Sequence, residues 1–354
     1  MTVLANHSNS DKEPILSGRS ARARFAILKA LDEIGASAGA SKISEMVSAA
    51  GIQLQARSIR FHLLKMDKDG LTRCLAKHEG RLITESGKRV LARISGMRKV
   101  GFIASRMDEL GFRMTLDVQT GKGSVIANGA LINKSDLSRA LHYMKTVFSS
   151  GLSMGNRIAI GMWGGPSVGL EVPRGKMALS TICSVTLNGV FLKAGIPVVS
   201  RFGGLIEMDD GAAKRFIELT DYQGTSIDPH SIFIKANMTK VGQYVSGGNG
   251  IIGASFRDFP SVAVDGVKKL IFALNKLNLN CVVALGQPNR PLLDVPVGEG
   301  RTGMIVIDGL NPFAALQEAG IPLELCPLSG LEELGTFVPF EEIAPLGRRS
   351  TYID

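Results

Sequence analysis

Cysteine, histidine and tryptophan are scarce in this chain of 354 residues, at four, five and one copies. Cys74, Cys183, Cys281 and Cys326 are scattered, with no CxxC spacing and no histidine placed to complete a zinc set. That argues against a disulfide frame or a structural metal, and suits free thiols in a reducing, cytoplasmic setting. His7, His62, His78, His142 and His230 stand in unrelated contexts, and Ser231, Cys183 and Asp228 form no evident triad. The nucleophile and base that enzymatic chemistry needs are therefore not in view. Gly247-Gly-Asn-Gly250 lacks the order of a dinucleotide loop and reads as a turn. No apolar run reaches the roughly 18 residues of a membrane-crossing helix. Met1 to Leu16 lacks the basic-then-apolar order of a signal peptide and reads as a tail. The expectation is a protein that is not an enzyme, with no catalytic residues, no metal, no cofactor and no membrane partner.

What is present is a 45% apolar share with only 21% charged residues, the balance of a chain that buries a sizeable core. Its length favours two or three domains. The formal net charge of +9 becomes informative once divided along the chain. Residues 1–99 hold 18 Lys and Arg against 9 Asp and Glu, while the remainder holds 23 of each. A compact positive module on a neutral body is the pattern of a polyanion-binding head. A merely soluble basic surface is the plainer alternative.

The head carries the periodicities of three helices and a hairpin. Phe25, Ile27, Leu28, Leu31 and Ile34 mark one face of a helix over Ser20 to Ile34. Ser41 is a plausible cap for a second helix, with Ile43, Met46 and Val47 inward and Gly51 closing it. A third runs from about Gln55 to Lys68, with Ile59, Leu63, Leu64 and Met66 inward and Gly70 as its stop. Leu71 to Leu75, a turn at Lys77-His-Glu-Gly80, and Arg81 to Thr84 read as a β-hairpin. Together they make a winged helix-turn-helix, in which the third helix enters the major groove of double-stranded DNA. Its outward residues are expected to be Arg57, Ser58, Arg60, His62 and Lys65, with Lys77, His78 and Arg81 at the wing. A solvated helix face, or a winged helix that contacts protein, is the alternative. A helix over Thr84 to Ile94 leads onward to a boundary near Arg98.

The neutral body is internally duplicated. Lys99 to Met107 resembles His230 to Met238, and Gly121 to Ala127 resembles Gly248 to Ala254. Leu170-Glu-Val-Pro-Arg-Gly175 resembles Leu293-Asp-Val-Pro-Val-Gly298, and Lys193-Ala-Gly-Ile-Pro197 resembles Glu318-Ala-Gly-Ile-Pro322. The four matches are collinear. Each half reads as strand, glycine turn, amphipathic helix, strand, loop, strand and closing helix, the helices being Ser135 to Phe148 and Ser261 to Leu277. Alternating elements of this kind predict an α/β domain, with α+β as the alternative. The division is a tail at 1–18, a winged-helix domain at 19–97, a regulatory and dimerisation domain at 98–335, and a tail at 336–354. The half-units are placed at about 98–205 and 228–330.

Several stretches carry a more specific likeness: Arg57-Ser-Ile-Arg-Phe-His-Leu-Leu64, Gly80-Arg-Leu-Ile-Thr84, Thr181-Ile-Cys-Ser-Val-Thr186, Arg201-Phe-Gly-Gly204, Thr225-Ser-Ile-Asp-Pro229 and Gly309-Leu-Asn-Pro312. Over nearly its whole length the chain resembles the NrpR family of nitrogen-regulatory repressors. The resemblance implies a homodimer on a palindromic operator, repression of nitrogen-assimilation genes, and release by the small-molecule effector 2-oxoglutarate. Many family members carry two copies of the regulatory domain, and this chain carries one.

A dicarboxylate effector would need arginines for bidentate pairing, with hydroxyls and loop N–H groups around it. Arg201 before Phe202-Gly203-Gly204, Arg257, the polar run Thr181, Cys183, Ser184 and Thr186, and Asn311 are the candidates. Each also has a structural reading: ion pairs for the arginines, helix caps and helix starts for the rest. Asp228-Pro229 reads as a turn. Two other functions stay open: an enzyme fused to a winged helix, and an RNA-associated protein that uses the winged helix as an accessory.

Overall fold

In the structure, a computed structural model, residues 19–49, 51–74, 80–97, 101–165 and 169–343 are described. The expected tail at 1–18, residues 344–354 of the tail expected at 336–354, and the wing tip with Lys77 and His78 lie outside them. Residues 336–343 are not a tail: Val338 and Pro339 pair with Ile158 and Arg157, and Phe337 and Phe340 are buried in the apolar clusters. Two compact units divide between Lys99 and Val100.

The first unit follows the periodicities. Helices α1 (Arg19–Ile34), α2 (Ala40–Ala49) and α3 (Ala56–Lys68) pack Ile27, Leu28, Leu31, Ile43, Val47, Ile59, Leu63 and Met66 into one core. Strands β1 (Thr72–Cys74) and β2 (Arg81–Ile83) pair antiparallel, and Ala38 bridges to Arg81 as a third strand position. Helix α4 (Glu85–Met97) follows. Two residues of α3 exchange the faces expected of them. Leu64 is exposed, and His62 is buried.

The second unit runs α5 (Phe102–Arg113), β3 (Ser124–Asn133), α6 (Leu137–Ser149), β4 (Arg157–Met162), β5 (Lys176–Ile182), α7 (Thr186–Lys193), β6 (Val199–Asp209) and β7 (Ala212–Asp221). It continues α8 (Pro229–Lys235), α9 (Val241–Gly247), β8 (Gly250–Pro260), α10 (Val264–Lys276), β9 (Val282–Leu285), β10 (Arg301–Ile307), α11 (Asn311–Glu318), β11 (Leu323–Glu333) and β12 (Val338–Pro339). The duplication is visible in the pairings: Ala127 opposes Ile182 in one half, and Ala254 opposes Ile307 in the other.

The halves are interlocked rather than side by side. One sheet has the order β11-β3-β5-β4-β12 and the other β7-β6-β8-β10-β9. Within each half, strands one, three and two lie together as a split β-α-β unit. The fourth position in each sheet is filled by the other half: β6 pairs with β8, and β11 pairs with β3. Every named pairing among the described residues is antiparallel. The mixed helix-and-sheet fold therefore takes the α+β form of the two expected. Apolar clusters cover both faces of the central strands. Along β10, Met304 and Val306 enter one cluster while Ile305 and Ile307 enter the other. Spatial halves bounded at 205 and 228 do not exist, because each half completes its partner's sheet.

Candidate functional site

The outward surface of α3 is built by what its inner face buries. With Ile59, His62, Leu63 and Met66 inside, the helical repeat turns Arg57, Arg60 and Lys65 out to solvent, and Ser58 is half-buried. Four of the expected DNA-contacting residues are thus on or beside one face. His62 is not among the exposed ones. Its ring packs edge-on to Phe61 at 5.7 Å, and burial first, then the charges of Arg24 and Lys65, push its pKa down. It is a core histidine.

Arg81 is also committed elsewhere. Its Nε donates to Asp67 Oδ2 at 2.7 Å, while Thr72 Oγ1 donates to Asp67 Oδ1 at 2.5 Å. One carboxylate on α3 therefore fastens both strands of the hairpin to the recognition helix. Arg24 pairs with Asp69 one turn end later. Arg81 positions the wing.

In the second unit, the two loops that lead from strand to helix meet. Thr181 Oγ1 donates to Gly309 O at 2.7 Å. A Cβ on Gly309 would stand 2.4 Å from Ile182 O, so only glycine allows this approach. Asn311 Oδ1 accepts from Gly253 N at 2.8 Å and its Nδ2 donates to Gly253 O at 2.9 Å. Thr186 Oγ1, its counterpart in the repeat, accepts from Ile126 N at 3.0 Å. Both residues join a helix start to the neighbouring strand.

Arg257 crosses between the halves in full burial. Its Nη1 donates to Ser184 O at 2.9 Å and to Asn188 Oδ1 at 2.5 Å, and its Nη2 donates to Ser184 Oγ at 2.9 Å. Among the described residues no carboxylate is bonded to it. Burial lowers its pKa, with Tyr222, Cys281, Cys183 and Asp308 acting against that. Beside it lies a buried set that the sequence did not single out. His230 Nε2 meets Ala254 O at 3.0 Å, and its Nδ1 faces Asp308 Oδ2 at 3.1 Å. Because a carbonyl can only accept, Nε2 carries a proton, and Nδ1 lies within ion-pair distance of Asp308 Oδ2. Burial pushes the Asp308 carboxyl up to about 6, against the attraction of His230 and with repulsion from Asp228. Burial also pushes the Cys183 thiol well above its ordinary value. Asp228 caps α8, its Oδ1 accepting from Ser231 N at 2.8 Å. Arg257 Nε, Asn128 Nδ2, Ser231 Oγ and Asp308 Oδ2 are buried without a hydrogen-bond partner among the described residues.

Thr181, Cys183, Ser184, Arg257 and Asn311 are therefore brought together, as proposed effector residues. Arg201 is not with them. Its side chain is half-exposed and bonds Asp258 Oδ2 at 2.9 Å, a carboxylate that also holds Arg301. Gly203 and Gly204 do not open a space for a ligand. A Cβ on Gly203 would meet Tyr222, His230 and Pro229, and one on Gly204 would stand 2.4 Å from Glu218 O. The buried groups His230, Asp308 and Tyr222 were missed. Their one sequence signal is the repeat, which sets Asp308 opposite Cys183. Among the described residues no cluster of three His, Cys, Asp or Glu is placed to hold a metal ion.

Residues 100–338 match the family model described as NrpR regulatory domains NRD1 and 2. The chain belongs to the NrpR family. It is 32% identical over 312 residues to the global nitrogen regulator NrpRI of Methanosarcina mazei, covering 88% of this chain and 95% of that one. It is 29% identical to the global nitrogen regulator NrpR of Methanocaldococcus jannaschii, covering 87% of this chain and 53% of the relative. The Methanococcus maripaludis protein of that name is 30% identical, over 77% of this chain and half of its own. The crystal structure of a nitrogen repressor-like protein from Methanococcus jannaschii superposes with a TM-score of 0.57 at 28% identity, covering 67% of this chain and 97% of the other. Residues 25–91 match the Ribonuclease R winged-helix domain, in agreement with the winged-helix fold of the head. NrpR proteins are regulators and not enzymes. Among the described residues no helix is long and apolar enough to cross a membrane.

Proposed function

We propose that this NrpR-family chain is a DNA-binding transcriptional repressor of nitrogen-assimilation genes, acting in the cytoplasm as a homodimer on a palindromic operator. The observation that carries the DNA reading is the coincidence of fold and charge. The entire +9 sits in the first 99 residues, and the α3 face presents Arg57, Arg60 and Lys65 to solvent. Such a face pairs with phosphates and guanine edges.

The effector 2-oxoglutarate, in this reading, acts at the junction of the interlocked halves. A buried guanidinium that no carboxylate among the described residues bonds, and whose own Nε lacks a partner there, suits a carboxylate ligand. A ligand there touches both halves, and it shifts DNA affinity only by its difference in affinity for the two arrangements. Selection of duplex DNA from a random pool, with and without 2-oxoglutarate, tests partner and effector together. Recovery of a palindrome whose binding weakens with 2-oxoglutarate supports both parts. A preference for structured RNA, which the ribonuclease origin of the matching winged-helix model makes the competitor arm, overturns the first. Silence toward 2-oxoglutarate in binding calorimetry overturns the second alone.

A further inference from the structure

The outward face of α3 is not uniformly polar. Phe61 exposes 67% of its surface and Leu64 57%. Both follow Arg57 at helical spacing and precede Lys68, so Arg57, Phe61, Leu64 and Lys68 form one stripe along the crest opposite the buried Ile59, Leu63 and Met66. Arg60 and Lys65 flank that stripe. Phe61 meets the ring of the neighbouring His62 edge-on, at 5.7 Å between centroids. It is a large apolar side chain set in the middle of a cationic surface.

Charge decides what covers it. A second copy of the same face would bring four or more like charges together, whereas a polyanion neutralises them. Within a polyanionic duplex, the apolar groups open to a recognition helix are the 5-methyl groups of thymine in the major groove. The residues near the start of the recognition helix reach base edges, and Phe61 lies in its second turn. We propose that Phe61, flanked by Leu64, packs on thymine methyl groups and makes the chain select thymine at a fixed position of each half-site. This rests on the DNA-binding reading above and adds to it an apolar determinant of sequence.

The test uses the full chain and the tightest duplex recovered by selection. Each thymine is replaced singly by deoxyuridine, which keeps the base pair and removes only the methyl. One or two positions per half-site are expected to weaken about fourfold, the worth of burying roughly one methyl-sized group, with the rest unchanged. Phe61→Ala is expected to bind about tenfold more weakly and to lose the response to deoxyuridine at those positions. Its melting temperature should hold, since the ring is exposed. Wild-type tolerance of deoxyuridine everywhere overturns the proposal, as does a Phe61→Ala chain that keeps the full deoxyuridine response. A variant whose dimer dissociates while its response to each thymine methyl persists also overturns it, placing the ring at a protein interface. A chain that recovers no duplex overturns the DNA-binding reading and this with it, and a chain that binds but ignores the methyls overturns this alone.

Discussion

Arg257 on β8 donates to both the backbone oxygen and the hydroxyl of Ser184, each at 2.9 Å, across the boundary between the two sequence halves. The contact ties the second half's first strand to the loop that starts the first half's closing helix. Since the exchanged strands β6 and β11 already interlock the halves, this bond sits where a change in their relative setting would be felt. Removing the guanidinium takes a donor from Ser184 O, Ser184 Oγ and Asn188 Oδ1 and leaves a cavity in a fully buried site. Arg257→Ala is therefore expected to lose about 3–5 kcal/mol of unfolding free energy, too much for a clean reading of effector response. Ser184→Ala removes one bond and should cost about 1 kcal/mol. If the junction is the effector site, that variant keeps its DNA affinity without effector and shows a weaker response to 2-oxoglutarate. Denaturant unfolding and a DNA-binding titration measure the two effects separately. An unchanged response in Ser184→Ala, with stability lowered as expected, would move the effector away from this contact.

On α3, position along the crest separates two arginines. Arg57 stands on it in the first turn, where base edges are reached, and Arg60 stands at its flank. Arg57→Ala is expected to cost about 1–3 kcal/mol of binding and to relax selectivity at one base position. Arg60→Ala should weaken all sequences alike and lower the slope of log affinity against log salt by about 1. Affinity of the parent chain should fall about a thousandfold between 50 and 200 mM salt if the dimer makes roughly six phosphate contacts. Competition binding on a panel of single-base variants distinguishes the two roles. Equal behaviour of both variants would remove the crest argument.

Arg81 separates a structural arginine from a DNA-contacting one. Its partner Asp67 is shared with Thr72, so Arg81→Ala should loosen the hairpin from α3. The pair is partly exposed, with side-chain exposures of 19% and 24%, and screening keeps its worth to about 1 kcal/mol. Asp67→Ala should lose at least as much although it removes a negative charge, because Thr72 loses its acceptor too, and the double variant should lose little more than Asp67→Ala alone. A free phosphate-contacting arginine would behave otherwise, with Asp67→Ala strengthening DNA binding.

The helices of the head and the twofold pattern of the body were legible because both are local signals. Ile59, Leu63 and Met66 repeat at helical spacing, and four collinear matches mark the duplication. Leu64 was misassigned because hydrophobicity alone puts a leucine beside Leu63 into the core, whereas helical geometry turns it outward. His62 erred in the opposite sense, since a polar residue at a core phase is read as surface. Arg81 needed knowledge of a partner 14 residues away, beyond any periodicity. The strand exchange left no trace, because the alternation in β6 serves equally well beside β3 or β8. The His230–Asp308 contact likewise joins residues that only the completed fold brings together. That is why the buried polar centre was seen as separate hydroxyls and arginines rather than as a cluster.

That contact gives the second unit a pH dependence whose sign can be worked out. Asp308 is faced by His230 and Asp228 from α8 and the turn before it, by Arg257 from β8, and by Cys183 and Tyr222. Burial raises its pKa to about 6 in the folded chain, against roughly 3.9 for an unfolded aspartate. Between those values the folded state binds more protons than the unfolded one. Stability contributed by this group is thus fully present below about pH 4 and is lost as the pH rises through about 6. The loss is on the order of 3 kcal/mol. Asp308→Asn keeps the shape and removes the titration, so its stability should be flatter over that window, measured by denaturant midpoints at stepped pH. Parallel curves for the parent and Asp308→Asn would show that the proton is not held at this carboxyl. Curves that converge below about pH 4 and separate above about 6, with the variant more stable at the higher pH, are the expected result.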